Sequence, residues 1–230
     1  MINDNIKVIA FDADDTLWVN ETYFREAENE FASLLSNYET ENKIHQELFK
    51  KEIENLPLYG YGIKGFVLSM MECALEISNG KLSGEISSKI LQIGKDMLEK
   101  PVIVLDNVEE VLQVLSKKYK LIVATKGDLL DQEKKLKKSG ILQYFHHIEV
   151  MSEKKEDDYT KLLKHIDTQP KDFLMVGNSL KSDILPILNI GGQAIHVPFH
   201  TTWQYEQVNS STLNEDYLTI NNIKDLLNFV

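Results

Sequence analysis

Cysteine is almost absent from this 230-residue chain. The single one, Cys73, excludes an intrachain disulfide and fits a reducing compartment. It lies among apolar residues at helical spacing, where a thiol reads as a small buried hydrophobe. Long hydrophobic runs are missing too: no stretch reaches the roughly 18 consecutive apolar residues of a membrane span. The opening Met1-Ile2-Asn3-Asp4-Asn5-Ile6 lacks the basic and apolar regions of a signal segment, so a cytoplasmic protein is expected. Basic charge is in deficit, with 25 Lys and Arg against 36 Asp and Glu and a formal net charge of −11. That balance argues against nucleic acid or an anionic membrane as partner. Repeats, low-complexity tracts and Gly/Ser linkers are absent as well. With 43% hydrophobic and 27% charged residues, the chain reads as one large domain, or a domain with an insertion, as monomer or homodimer.

What is present is concentrated near the N-terminus, in Lys7-Val8-Ile9-Ala10-Phe11-Asp12-Ala13-Asp14-Asp15-Thr16-Leu17-Trp18. An apolar run of strand length ends in three carboxylates within four residues. Their mutual repulsion calls for a cation or a proton. A carboxylate here could also cap the helix that follows.

After Trp18 the pattern turns helical for about eighty residues. Phe24, Ala27, Phe31, Leu34 and Leu35 mark one amphipathic face, and Ile44 and Leu48 a weaker one. The segment Leu56 to Gly65, with three glycines and a proline, reads as a loop. Helical spacing resumes through Val67, Met70, Met71, Ala74 and Leu75, then through Ile86, Ile90, Ile93 and Met97. From Pro101 onward strands alternate with helices, as in a parallel sheet covered on both faces. Asn107 is a candidate N-cap for a helix using Val108, Val111, Leu112 and Leu115. Strands are expected at Leu121–Ala124, Ile148–Met151, Phe173–Val176 and Gln193–Val197, with a helix carrying Tyr159, Leu162, Leu163 and Ile166. With the first, these make at least five strands.

The Asp-x-Asp-x-Thr pattern after a buried strand resembles the first signature of the haloacid dehalogenase-like hydrolases, a superfamily made mostly of magnesium-dependent phosphatases. Three further signatures follow strands in the expected order. Thr125-Lys126-Gly127-Asp128 resembles the second, a hydroxyl residue that hydrogen-bonds a phosphoryl oxygen. Ser152-Glu153-Lys154-Lys155 resembles the third, a lysine that offsets the charge of nucleophile and phosphate; Lys154 is favoured, with Lys155 and Lys126 as alternatives. Gly177-Asn178-Ser179 with Asp183 five residues after Asn178 resembles the fourth, the loop that completes metal coordination. Here the chain departs from the family pattern, since Asn178 stands where an Asp ligand is usual and one negative charge is lost.

The resemblance implies a Rossmann-like three-layer α/β core built from residues 1–17 and 101–230, with an all-helical cap inserted at 18–100. It implies Asp12 as nucleophile and Asp14 as general acid and base, with Thr125 and Lys154 completing the catalytic set. Mg2+ would be held by Asp12, Asp14, Asn178 and Asp183. Thr16, Lys126 and Gly127, together with Tyr61 and Lys64 from the glycine-rich loop, are the expected substrate contacts. The implied reaction is hydrolysis of a small phosphorylated metabolite, a sugar phosphate or nucleoside monophosphate. A phosphomutase would share all four signatures. A dehalogenase would lack Asp14, and a receiver domain would be half as long. A weak phospho-ligand binding protein is motivated only by Asn178. His196 to Trp203 gathers aromatics and two histidines after the last expected strand, which could line the mouth of a site.

Overall fold

A computed structural model describes residues 5–208 and 217–230, and its contacts divide the chain into two compact units. The first comprises residues 1–21, 102–126 and 132–230. The second comprises 22–101 and 127–131.

The first unit is organised on a parallel sheet of six strands, ordered β3-β2-β1-β4-β5-β6: β1 (Val8–Phe11), β2 (Lys120–Lys126), β3 (His147–Met151), β4 (Phe173–Gly177), β5 (Gln193–His196) and β6 (Leu218–Thr219). The two-residue β6 is not foreshadowed by any apolar run. β1 pairs on one side with β2, Phe11 opposite Val123, and on the other with β4, Phe11 opposite Val176. The direction of winding therefore reverses at β1, and such a switch point leaves a crevice at the strands' carboxyl ends.

Alternation along the strands explains the two covered faces. Ile9, Phe11, Leu121, Val123, Leu174 and Val176 pack on one side against Val108, Val111, Leu112 and Leu115 of α5 (Val108–Leu115). Val8, Ala10, Ile122, Ala124, Phe173 and Met175 pack on the other against Tyr159, Leu162 and Leu163 of α7 (Glu156–His165). Asn107 precedes α5 but does not cap it. It sits in the left-handed region at φ 66°, and its side chain bonds Asn222 instead.

The second unit is helical: α1 (Glu21–Leu34, its first residue still in the sheet unit), α2 (Glu41–Tyr59), α3 (Ile63–Ile77) and α4 (Gly84–Glu99). Its core gathers Phe31, Leu35, Ile44, Leu48, Met70, Cys73, Ile90 and Ile93. Burial pushes the Cys73 thiol up to about 12, in keeping with an inert hydrophobe. α3 and α4 approach closely at Gly94, where a Cβ would meet Val67 at 2.3 Å. The loop expected over 56–65 is shorter: α2 runs on through Pro57 to Tyr59, and only residues 60–62 break the helices. Gly60 and Gly62 supply that break with φ of 71° and 105°.

The sheet unit keeps residues 18–21, beyond the expected boundary at 17. Trp18 bridges to Val104, Val19 N–H bonds the Ile103 carbonyl, and the N–H groups of Asn20 and Glu21 bond the Asp15 carboxylate. Asp15 is thus the acid that caps α1. It too has positive φ, 63°, because the chain turns sharply after β1. No helix among the described residues is long and apolar enough to cross a membrane.

Candidate active site

The residues that follow β1, β2, β3 and β4 meet at the carboxyl edge of the sheet. Asp12 leaves β1 with its N–H bonded to the Val176 carbonyl at 2.9 Å, and it is 7% exposed. One carboxylate oxygen, Oδ1, accepts from Lys154 Nζ at 2.5 Å. The other, Oδ2, accepts from Thr16 Oγ1 at 3.4 Å. Burial pushes the Asp12 carboxyl above the ordinary carboxylate range; Lys154 opposes this, and Asp183 and Asp14 add to it.

Lys154 is also buried, and its ammonium bridges Asp12 and Asp183, the latter at 2.7 Å. Burial alone would lower its pKa, but the two carboxylates outweigh that and raise it, so the lysine stays charged. The neighbouring Lys155 is exposed and lies near Glu153, so only Lys154 of the pair reaches the site.

Asp183 sits in a single π-helical turn, Leu180–Ile184, of the kind frequent at functional sites. Its Oδ1 takes the lysine and its Oδ2 takes the Ser179 N–H at 2.9 Å. Both oxygens of this expected metal ligand therefore position neighbouring groups. The approach depends on Gly177, where a Cβ would fall 2.3 Å from Asp183 Oδ2. Gly177→Ala should displace Asp183, release Lys154 from one side and lower kcat by about 10- to 100-fold, in line with losses from small misplacements of catalytic groups. Wild-type kcat in a folded Gly177→Ala protein would refute that dependence.

A terminal atom of the Asn178 amide lies 3.2 Å from Asp12 Oδ2, 3.3 Å from the Asp14 main-chain oxygen and 3.2 Å from Thr16 Oγ1. With nitrogen there, the amide donates to these oxygens and offsets their repulsion. With oxygen there, Asn178 Oδ1 stands from Asp12 Oδ2 and from Asp14 O at distances close to the roughly 3 Å between adjacent oxygen ligands of a magnesium ion with bonds near 2.1 Å. The residues present fit Mg2+ on those three oxygens. Among the described residues no group of three or more His, Cys, Asp or Glu side chains could hold a metal; the donors here are a carboxylate, an amide and a main-chain carbonyl. Asn178→Asp should tighten Mg2+ binding about tenfold, because affinity for such a hard cation follows ligand charge. It should also lower the melting temperature without metal, and calorimetric Mg2+ titration reads the first effect. Unchanged or weaker binding would contradict the assignment.

The Asp14 side chain points elsewhere. Its Oδ1 accepts from Trp18 Nε1 at 2.8 Å and Lys135 Nζ at 3.0 Å, and its Oδ2 from Gln132 Nε2 at 2.8 Å. Gln132 also donates to Thr125 Oγ1 and the Lys126 carbonyl, tying the first signature to the second. Thr125 is fully buried at the end of β2. Gln132 and Lys135 were not singled out by sequence. The available signal was two polar residues three apart on α6 (Leu129–Lys138), directly after the second signature.

Lys126 Nζ is paired with Glu206 Oε1 at 2.5 Å and bonded to Ser182 Oγ at 2.9 Å. Ser179 and Ser182 lie in the fourth signature's loop, whereas Glu206 has no signal in the sequence. Gly127 has φ 124°, a conformation that suits glycine. In the helical unit, Lys64 pairs with Asp128, which also caps α6 through the Asp131 N–H, and Tyr61 is half-buried in the turn before α3. His196 bonds the Asn178 carbonyl at 3.1 Å, bracing the fourth loop from β5.

Fold and site together define a Rossmann-like α/β enzyme core with a lysine-bridged acidic centre at its strand ends. The model of the haloacid dehalogenase-like hydrolases matches residues 6–191, and the chain belongs to that family. A solved haloacid dehalogenase-like family hydrolase from Xanthomonas campestris is 39% identical, with a TM-score of 0.82, over 88% of this chain and 86% of its own. A 2-haloacid dehalogenase from Pseudomonas syringae, 19% identical with a TM-score of 0.64 over 97% of each chain, shares the fold. The chain is also similar to N-acylneuraminate-9-phosphatase from Mus musculus, 27% identical over 54% of this chain and 52% of that protein. The Homo sapiens protein of that name is 24% identical over 82% of this chain and 81% of its own. The match to the mouse protein thus spans about half of that relative's length.

Proposed function

We propose that the protein is a magnesium-dependent phosphatase that hydrolyses a small phosphorylated metabolite through a phosphoryl-aspartate on Asp12. The observation that carries this reading is the Asp12 carboxylate, buried at a strand end with one oxygen on Lys154 and the other facing Thr16 and Asn178. A carboxylate is a weak nucleophile that needs such orientation and charge compensation.

Asp12 attacks phosphorus in line as the bond to the leaving oxygen breaks, and Asp14 supplies the proton that oxygen needs. Asp14 then takes a proton from water, which attacks phosphorus, frees phosphate and restores Asp12. Throughout, Lys154 holds Asp12 and offsets negative charge, and the Thr125 hydroxyl positions a phosphoryl oxygen. To reach the leaving group, the Asp14 carboxyl must turn out of its contacts with Gln132, Lys135 and Trp18. Bound Mg2+, held by Asp12, the Asp14 carbonyl and Asn178, would neutralise charge on the reacting phosphoryl oxygens.

Similarity to two phosphatases named for a phosphorylated N-acylneuraminate supports a sugar-phosphate-like substrate over a nucleoside monophosphate. The test is phosphate release from a panel of sugar phosphates, sugar-acid phosphates and nucleoside monophosphates, with Mg2+ and with chelator. The reading requires release that depends on Mg2+ and is best with a sugar phosphate. Absence of release from every ester by a folded protein would overturn it.

A further inference from the structure

One carboxylate in the sheet unit is surrounded as a bound anion would be. Glu206 Oε1 accepts from Lys126 Nζ, while Oε2 accepts from Ser179 Oγ at 2.5 Å and Ser182 Oγ at 2.6 Å. Ser182 Oγ in turn accepts from Lys126 at 2.9 Å, and the Ser182 N–H donates to Ser179 Oγ at 3.0 Å. An ammonium and two hydroxyls converging on one carboxylate is a charge-assisted anion site. Burial alone would raise the Glu206 pKa, but Lys126 and the two serines outweigh it and hold it below the ordinary range.

The donors belong to the catalytic loops. Lys126 follows Thr125, Ser179 follows Asn178, and Ser182 precedes Asp183 and accepts the Tyr159 hydroxyl on its carbonyl at 2.9 Å. Glu206 does not belong to those loops. It comes from a three-residue 3-10 turn, Gln204–Glu206, well after β5. Backbone bonds of that turn are local, Glu206 N–H to Trp203 O at 2.9 Å and Gln207 N–H to Gln204 O at 3.3 Å. Its neighbour Tyr205 is held through the side chain of Lys181, whose ammonium bonds the Tyr205 carbonyl and lies over its ring. Lifting the carboxylate out therefore breaks side-chain contacts and leaves the sheet's ladder intact.

We propose that Lys126, Ser179 and Ser182 form an anion subsite that Glu206 fills in the resting protein, and that the substrate is a phosphomonoester whose second acidic group displaces it. The substrate part rests on the phosphatase reading; the subsite does not. Glu206→Ala takes from Lys126 the carboxylate it pairs with, a costly loss for a group only 15% exposed. A small anion should then replace the lost carboxylate.

Two measurements test this. In thermal melting without substrate, Glu206→Ala should melt below wild type and regain stability saturably with formate or sulfate, whereas Glu206→Ala/Lys126→Met should show no such saturable gain. Absence of rescue in the single variant, or equal rescue in both, overturns the subsite. In kinetics, a carboxylate-bearing phosphomonoester and a bisphosphate are compared with a neutral ester of similar size. Wild type should favour the better acidic ester, and Glu206→Gln should widen that preference about tenfold through KM, the equivalent of one charge-assisted contact. The ranking of the two acidic esters tells carboxylate from phosphate. A preference unchanged by Glu206→Gln, or an equal loss on all three esters, overturns the substrate part and leaves Glu206 as a brace. If wild type hydrolyses none of them, the phosphatase reading and the substrate part fall together, while the melting experiment still decides the subsite.

Discussion

Asp12→Asn should reduce Mg2+-dependent phosphate release by about 10⁴-fold or more, the scale of loss when a covalent nucleophile is removed. The substitution keeps the size of the side chain and an oxygen toward Thr16 and Asn178, but it abolishes the charge that makes the group nucleophilic. It also removes the charge of one of the two carboxylates that Lys154 bridges. The buried acid cluster loses one of its mutually repelling charges, so without metal the variant should melt within a few degrees of wild type. Steady-state release at saturating substrate, read beside the melting curve, separates lost chemistry from lost fold. Release within tenfold of wild type would remove Asp12 from the nucleophile's place.

Lys154→Met is expected to be nearly as damaging, for a different reason. The lysine compensates two buried carboxylates at once, and truncating it leaves both unpaired. Breaking a buried pair costs roughly 3–5 kcal/mol, so the variant should melt well below wild type without metal. Added Mg2+ should return part of that loss by neutralising Asp12. The rate should fall about 10²- to 10³-fold, the loss typical of removing one fixed stabiliser of transition-state charge. Lys155→Met should change neither property, because that side chain is exposed. A Lys154→Met protein that kept wild-type kcat would show that the bridge is architectural.

The parts legible in sequence were those set by local pattern. β1, β2 and β4 are buried on both faces and so appear as unbroken apolar runs, and each is followed by residues that need a chemical explanation. The helical insertion showed its 3.6-residue period. Pro57 was read as a break, yet it lies in the last turn of α2, where the helix ends two residues later in any case. The Asp-x-Asp-x-Thr resemblance separates Asp12 from Asp14, but which acid caps the following helix is not legible from spacing. That assignment comes from the sharp turn at Asp15, which directs that carboxylate to the start of α1 and leaves Asp14 facing α6. The role of Asp183 depends on contact with Lys154, 29 residues away in the chain. Glu206 lies 80 residues from Lys126, and the sequence around it shows only a polar, aromatic segment after β5. Pairings of that kind are created by the sheet and have no local signature.

The most direct test of the central claim is acid quench of wild-type protein during turnover of its best substrate with Mg2+, followed by mass spectrometry of the peptide that carries Asp12. The account predicts a phosphoryl group on Asp12 that is absent without Mg2+ and absent in Asp12→Asn. Rapid turnover with no phosphoryl group on that peptide, or with the group on another residue, would contradict it.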